Sequence, residues 1–291
     1  MQTGLAGATM TISFKAAMVQ TCTGIDLTTN IDITSRFVRQ AASDGAIYIQ
    51  TPEVTTLIET KGKDQFDKSQ PDDDSNIALC AFRSLAAELK IWLHIGSMSV
   101  RQSHNKLANR AFLFNPDGEI IARYDKIHMF DVNVDDTNSF QESRRYDAGE
   151  QAVLAALPWG NLGITICYDM RFPHLYRALA QAGAHFLAIP SAFTIPTGQA
   201  HWHTLLRARA IENGCFVMAA AQAGDHASGR KSYGHSLIIS PWGEILAEMD
   251  GLQEGFICAD IEADLVQRAR KRVASLNNDR NYDIVHHASI S

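Results

Sequence analysis

The chain lacks any excess of basic residues: 26 Lys and Arg stand against 32 Asp and Glu, a formal charge of −6. Without a basic stripe, no nucleic-acid partner is expected. No apolar run approaches the ~18 residues that a bilayer span requires, so no membrane partner is expected either. The opening MQTGLAGATM has neither the basic start nor the long apolar core of a secretory signal. Five cysteines (Cys22, Cys80, Cys167, Cys215, Cys258) are scattered, odd in number and form no Cys-x-x-Cys pair. That disfavours a disulfide framework or a thiolate zinc cluster and leads us to expect a reducing, cytoplasmic compartment. The sequence also has no repeats, low-complexity linkers or breaks in composition. What remains is an ordinary globular composition, 46% hydrophobic and 20% charged over 291 residues. Residues 1–11 are expected to form a loose extension, and 12–291 a single domain.

Short β-branched apolar runs alternate with amphipathic stretches almost to the end. Strands are expected at 15–20, 46–50, 91–100, 111–114, 120–123, 162–167, 185–189, 215–221, 236–239 and 255–259. Helices are expected at 27–42, 75–89, 174–182, 200–211 and 263–273. The aspartates Asp72 to Asp74 suit the first turn of the second helix, and Gly45 suits the end of the first. The turn signals PDG (116–118) and PWG (241–243) each lie between two strands and predict hairpins. The mixture gives an α/β class in which helices cover sheets.

Three reactive side chains fall just past strand ends, where α/β sheets tend to meet their ligands. Cys167 closes the run LGITIC and precedes a turn and a helix pattern; Glu53 follows AIYIQTP; Lys126 follows EIIARYD. A free thiol with pKa about 8.5 is mostly protonated at neutral pH, so a neighbouring base such as Glu53 would help it attack. Attack on an amide carbon creates an oxyanion, for which the Lys126 ammonium and the backbone N–H of Tyr168, after Cys167, are candidate donors. Loss of ammonia would leave a thioester for a Glu53-activated water. This chemistry needs no metal and no organic cofactor. Taken singly, each residue also has a plain reading: a buried cysteine, a surface carboxylate, a solvated lysine.

At these residues and around them the sequence resembles the nitrilase (carbon–nitrogen hydrolase) superfamily over nearly its whole length. The matching segments are TPE with Glu53, YDKIHMFD with Lys126, FQES with Glu142, GITICYDMRFP with Cys167, TGQAHWHTLLRARAIENGCFV, YGHSLIISPWGEILAE and IEADLVQRAR. The later segments look most like the Nit branch, which includes amidases for deaminated glutathione and ω-amidases. LLRARAIE, AAAQ and SYGHS look more like the former. The resemblance implies a four-layer α-β-β-α sandwich and a homodimer, with higher homo-oligomers as the alternative. It also implies a small-molecule amide substrate, Glu53 as base, Lys126 as oxyanion stabiliser, Cys167 as nucleophile, and Glu142 as a second glutamate that holds Lys126. Where many Nit members read RFPELYR and AHWE, this chain has His174 and His203, which weakens transfer of any one substrate preference. Arg171 reads equally as a bidentate carboxylate binder or a structural clamp. Phe193 and Thr197, in the loop after the next strand, read as pocket walls by resemblance or as ordinary loop packing.

Several alternatives stay open on sequence. A nitrilase or an N-carbamoyl-amino-acid hydrolase would use the same triad. A binding or scaffold protein could keep the fold without the chemistry. A zinc hydrolase built on His201 and His203 is disfavoured, because residues two apart on a helix do not share a face and no H-E-x-x-H pattern is present.

Overall fold

In the computed structural model, which describes residues 13–102, 105–133 and 139–287, the first strand sets the layering. β1 (Ser13–Gln20) has two apolar faces. Phe14, Ala16 and Met18 join a cluster shared with a second sheet, whereas Ala17 and Val19 pack with helices on the opposite side. A strand buried on both faces needs a layer on each. The expected extension at 1–11 lies outside the described residues.

From β1 the chain passes through α1 (Leu27–Ser43) to β2 (Tyr48–Gln50), then α2 (Gly62–Lys68) and α3 (Ile77–Leu89) to β3 (Trp92–Arg101). These strands are parallel, so the helices between them are crossovers. β4 (Leu107–Phe114) and β5 (Ile120–Asp125) add antiparallel strands joined by the expected PDG turn. There Asn115 Oδ1 accepts from the Asp117 and Glu119 N–H groups, and Gly118 supplies a φ of +79°. β6 (Asp131–Asn133) and β7 (Ser139–Gln141) form a small outlying ribbon, and β8 (Tyr146–Asp147) joins β4.

The second sheet repeats the plan. β9 (Val153–Leu157) pairs antiparallel with β10 (Gly160–Ile164). α4 (Pro173–Gln181) crosses to β11 (Ala184–Ala188) and α5 (Ile195–Asn213) to β12 (Phe216–Ala219), both parallel steps. β13 (Ala223–Asp225) and β14 (Lys231–Tyr233) make a separate hairpin. β15 (Leu237–Ile239) and β16 (Ile245–Glu248), joined through PWG, complete the sheet. β17 (Gly255–Glu262) then returns antiparallel to β1, and α6 (Asp264–Arg272) follows. The sheet orders are β17-β1-β2-β3-β4-β5 and β16-β15-β12-β11-β10-β9. α1 and α3 cover the first sheet, α4 and α5 the second, and the two sheets face each other across the larger cluster. This is the four-layer α-β-β-α sandwich that the resemblance implied.

Three local expectations are corrected. β10 stops at Ile164, and Cys167 instead opens a 3-10 turn over Cys167–Arg171. The second helix is capped by Asn76, whose side chain accepts from Ala78 and Leu79 N–H, while Asp72 is taken by Arg110 and Arg123. α5 begins about a turn before the expected Ala200, because Pro196 sits well in a first turn, where its missing N–H costs nothing.

The sheets are joined at the carboxyl ends of their strands by buried polar groups. Gln50 Nε2 donates to Met218 O at 3.0 Å, and Ser236 N–H donates to Gln20 Oε1 at 2.9 Å. Gly96 in β3 marks how close the layers come. A Cβ there would lie 2.1 Å from Thr51 O and 2.4 Å from Pro190 Cβ, one atom from each sheet's strand-end loop.

Candidate active site

Glu53, Lys126 and Cys167 leave three different strand ends and meet. Glu53 follows β2 and Pro52, and the next residue, Val54, is held at a φ of +49°. A β-branched residue there is strained. It persists because Val54 N–H donates to Ser97 Oγ (2.8 Å) and Thr55 N–H to Ser97 O (2.9 Å), pinning the turn to β3. Cys167 is also left-handed, at +50°, and its own N–H is committed to Pro190 O at 2.9 Å. Lys126 directly follows β5; its N–H donates to Asn109 O and its carbonyl accepts from Gly149 N–H.

Asp169, fully buried, ties the cysteine turn to the lysine loop. It accepts from Ile166 N–H (2.9 Å), from the Tyr124 hydroxyl (2.6 Å) and from His128 N–H (3.0 Å), with His128 Nδ1 at 2.7 Å. Four partners on one carboxylate fix the elbow that carries the thiol against the segment that carries the ammonium.

At the centre, Lys126 Nζ lies 2.9 Å from Glu53 Oε1 and 3.1 and 2.9 Å from the two oxygens of Glu142. Asn109 Nδ2 bridges the same two carboxylates at 3.0 and 3.2 Å. The second oxygen of Glu53 accepts from Ala192 N–H at 2.9 Å, and Glu142 accepts from Phe130 N–H at 2.7 Å. All three reactive side chains are buried, with Glu53, Lys126 and Cys167 at 4%, 2% and 7% exposure. Buried charges on this scale survive only when paired, as these are.

Their protonation follows from the pairing. Burial pushes the Cys167 thiol well up, and the neighbouring Glu53 carboxylate pushes it further, against the pull of Lys126. Burial also works to raise Glu53, but Lys126 and then Arg230 outweigh it and hold the carboxyl below its usual range. For Lys126 burial opposes the charge, yet Glu142 and Glu53 win and keep it an ammonium. The resting set is thiol, carboxylate and ammonium.

These groups open onto a cavity of about 750 Å³. Glu142, Tyr168, Phe193 and Thr197 line it with the three central residues. Thr197 lies within the first turn of α5 and not in a loop; its Oγ1 is 2.8 Å from that of Thr194. Arg171 is not among the lining residues. Its guanidinium lies over the Tyr168 and Phe193 rings and reaches His201 Nδ1 at 3.2 Å, which suits the clamp alternative. The cations that do line the cavity, besides Lys126, are Arg145, Arg230 and Lys231. Arg145 is engaged by Gln65 and Thr60 and Lys231 by Asp225; Arg230 donates to Ala192 O, while its Nε is buried without a protein partner among the described residues. No histidine is among the lining residues.

Sequence reading missed Asn109, Asp169 and Arg230. Asn109 had a signal, a polar residue inside the apolar strand LANRAFLF, and so had Asp169, an acid just inside the turn after Cys167. Arg230 had none: the β13–β14 hairpin that brings it back over the cavity is set by tertiary contacts.

A buried thiol, carboxylate and ammonium thus meet at converging strand ends of a four-layer sandwich, the fold of Cys-based amidases. Residues 15–271 match the carbon-nitrogen hydrolase family, and the chain belongs to it. It is 39% identical over 237 residues to a deaminated glutathione amidase of Yersinia enterocolitica, covering 80% of this chain and 82% of that protein. It is 32% identical over 270 residues to the human omega-amidase NIT2, covering 92% and 96%. Among solved structures, the NitFhit protein of C. elegans superposes with a TM-score of 0.87 at 33% identity, over 93% of this chain and 66% of that longer one. The chain is thus a Nit-branch member of the nitrilase superfamily, an enzyme of amide carbon–nitrogen hydrolysis.

Proposed function

We propose that this chain hydrolyses an amide of a small carboxylated compound through a thioester on Cys167, releasing the nitrogen as an amine or as ammonia, and that the substrate is deaminated glutathione, whose leaving group is cysteinylglycine. The observation that carries the mechanism is the contact of Lys126 with both Glu53 and Glu142 beside the Cys167 thiol. Glu53 takes the thiol proton as sulfur attacks the amide carbon. The oxyanion is met by Lys126, with one of its three N–H groups beyond those given to the two carboxylates, and by Tyr168 N–H. The C–N bond then breaks, and the leaving nitrogen takes the proton from Glu53 and departs as the amine, cysteinylglycine from deaminated glutathione or ammonia from a primary amide. Water gives a proton to the same carboxylate as it attacks the thioester, the C–S bond breaks, and the thiol is restored. Glu142 and Asn109 hold Lys126 and Glu53 in register throughout.

One feature favours deaminated glutathione over a five-carbon keto-amide. A cavity of about 750 Å³ lies in the upper part of the roughly 300–1,000 Å³ range of sites for drug-sized ligands. Arg230, whose buried Nε has no partner among the described residues, suits the carboxylate that both compounds carry better than Arg171 does. The relative named omega-amidase keeps α-ketoglutaramate as the second reading. The test is release of cysteinylglycine from deaminated glutathione and of ammonia from α-ketoglutaramate, with Cys167→Ala as control. Cys167-dependent release that prefers deaminated glutathione supports the assignment. A folded Cys167→Ala variant with full activity overturns the mechanism, and preference for the keto-amide overturns the substrate.

We further read the protein as a cytoplasmic homodimer. The cysteines are all unpaired, which suits a reducing compartment. The dimer rests on the family resemblance, and light scattering on the purified chain tests it.

A further inference from the structure

His203, His235 and Glu248 lie outside the cavity lining and come from three separate segments: α5, the loop before β15 and the end of β16. Both imidazoles aim at one carboxylate oxygen, His203 Nε2 at 2.7 Å and His235 Nδ1 at 3.0 Å from Glu248 Oε1. Their donor atoms all lie within 4.8 Å of one another, and each side chain is about a third exposed or less. His201, by contrast, points to Arg171, as helical spacing requires. The partner of His203 is therefore not its His-x-His neighbour but a histidine 32 residues on and a glutamate beyond that.

We propose that this cluster is a structural site for a divalent cation of the zinc class, bound by His203 Nε2, His235 Nδ1 and a Glu248 carboxylate oxygen, with water in the fourth position. Two imidazoles and a carboxylate are the donor set that Zn²⁺ takes when a coordination position stays open. Zinc–nitrogen and zinc–oxygen lengths of about 2.0–2.2 Å put tetrahedral neighbours about 3.3 Å apart. The present separations of 2.7 and 3.0 Å to the carboxylate oxygen need to widen by only a few tenths of an ångström. Binding exchanges each shared hydrogen for the metal and moves the imidazole proton to the opposite ring nitrogen, so neutral rings need lose none.

The supporting residues are already set. Tyr233 stacks on the His235 ring at 4.4 Å, and Trp202 Nε1 donates to His235 O at 2.9 Å. His235 is held in a left-handed conformation, φ +59°, of the kind that persists where the surroundings over-determine it. Gly251 leaves the imidazole room: a Cβ there would stand 2.8 Å from His235 Nε2. The site would tie α5, which carries the cavity wall at Thr197, to β16 and to the segment following β14. Tyr233 of that strand is bonded to Phe193 O, so the cation would brace the wall from behind and take no part in the chemistry.

The test titrates the full chain with ZnCl₂ by calorimetry and with CoCl₂ by visible absorption, alongside His203→Gln, Glu248→Gln, His201→Gln and Cys167→Ala. The expected result is one Zn²⁺ per chain and tetrahedral cobalt bands in the wild type, with thermal stability raised by saturating zinc. Affinity should fall at least tenfold in His203→Gln and Glu248→Gln, while the other two variants behave as wild type. Circular dichroism checks that each variant folds. Absence of binding, binding that survives His203→Gln and Glu248→Gln, or binding lost only with Cys167→Ala overturns the proposal.

Discussion

Exchanging Glu53 for Gln alters one heavy atom in the site and separates two effects on Cys167. In the proposed mechanism the carboxylate takes the thiol proton during attack, and its charge also raises the thiol's pKa beforehand. An amide cannot act as base, so acylation and deacylation are both expected to slow. General-base catalysis contributes about 10²–10⁴-fold, or about 3–5 kcal/mol at 1.36 kcal/mol per tenfold. The fold should survive. The amide oxygen can still accept from Lys126 and Asn109, and among the backbone contacts the bond from Ala192 N–H is lost. A buried donor left unpaired costs about 1–3 kcal/mol, against a typical stability of about 5–15 kcal/mol. Meanwhile the thiol loses a negative neighbour and keeps Lys126, so it should ionise more readily. The assay reads kcat for amide hydrolysis together with alkylation of Cys167 by iodoacetamide across pH, followed on the Cys167 peptide by mass spectrometry. Turnover should fall 10²–10⁴-fold while the alkylation midpoint moves to lower pH. A folded Glu53→Gln variant within tenfold of wild-type turnover refutes the base assignment, and an unmoved or raised midpoint refutes the electrostatic account.

Lys126→Met removes the ammonium that separates Glu53 from Glu142 and leaves two carboxylates in one buried site. Breaking a buried pair costs about 3–5 kcal/mol, so the urea midpoint should drop steeply and activity vanish; a midpoint near wild type would contradict the pairing. His94 is fully buried in β3, with its pKa lowered by desolvation from 6.5 to about 3. Its contribution is fully present above pH 6.5 and is lost as pH falls toward 3, because the unfolded chain binds the proton first; the difference is worth roughly 5 kcal/mol. Unfolding free energy should fall across that range and fall less in His94→Gln, whereas equal slopes would exclude His94 as the cause. Gly96→Ala drives a methyl into Thr51 O and Pro190 Cβ. It should cost about 1–3 kcal/mol as an overpacked contact and cut activity more than stability alone explains, since those loops carry Glu53 and receive the Cys167 N–H. Full kcat in that variant would show that the spacing of the layers is not critical.

The layers were legible because the strands are buried on both faces: LGIT and HFLAI in the second sheet and AAMV in the first leave few positions for polar residues, and their runs are unmistakable. The triad was legible for a different reason, since each member follows such a run directly. Elements on the polar rim were not: α2, the β6–β7 ribbon and the β13–β14 hairpin have no apolar periodicity of their own and exist through contacts to other parts of the chain. The same limit hid Arg230, which reaches the cavity through that hairpin, and left Arg171 open between carboxylate binder and clamp, because proximity to Cys167 in sequence does not by itself give a place in the cavity lining. Spacing along a helix correctly separated His201 from His203, but it could not supply His235 and Glu248, which only the closing strands bring alongside.

Under the proposed mechanism, the resting protonation states explain why the nucleophile is built this way. A thiolate exposed in a polar cleft attacks readily but is equally open to oxidants and to stray electrophiles, since the thiolate is the reactive form. Here burial and Glu53 together keep the sulfur protonated, while Lys126 and Arg230 keep Glu53 ready to receive the proton. Reactivity is therefore not stored on sulfur. It arises when an electrophilic carbon is within reach of the thiol and its oxygen meets Lys126, because only then does the charge transferred from Glu53 have a stabilised destination. Two strained residues, Val54 and Cys167, fix the base and the thiol at that distance before substrate arrives. Their cost is spread over the Ser97, Pro190 and Asp169 contacts, which bind the strand-end loops of both sheets into one rigid frame.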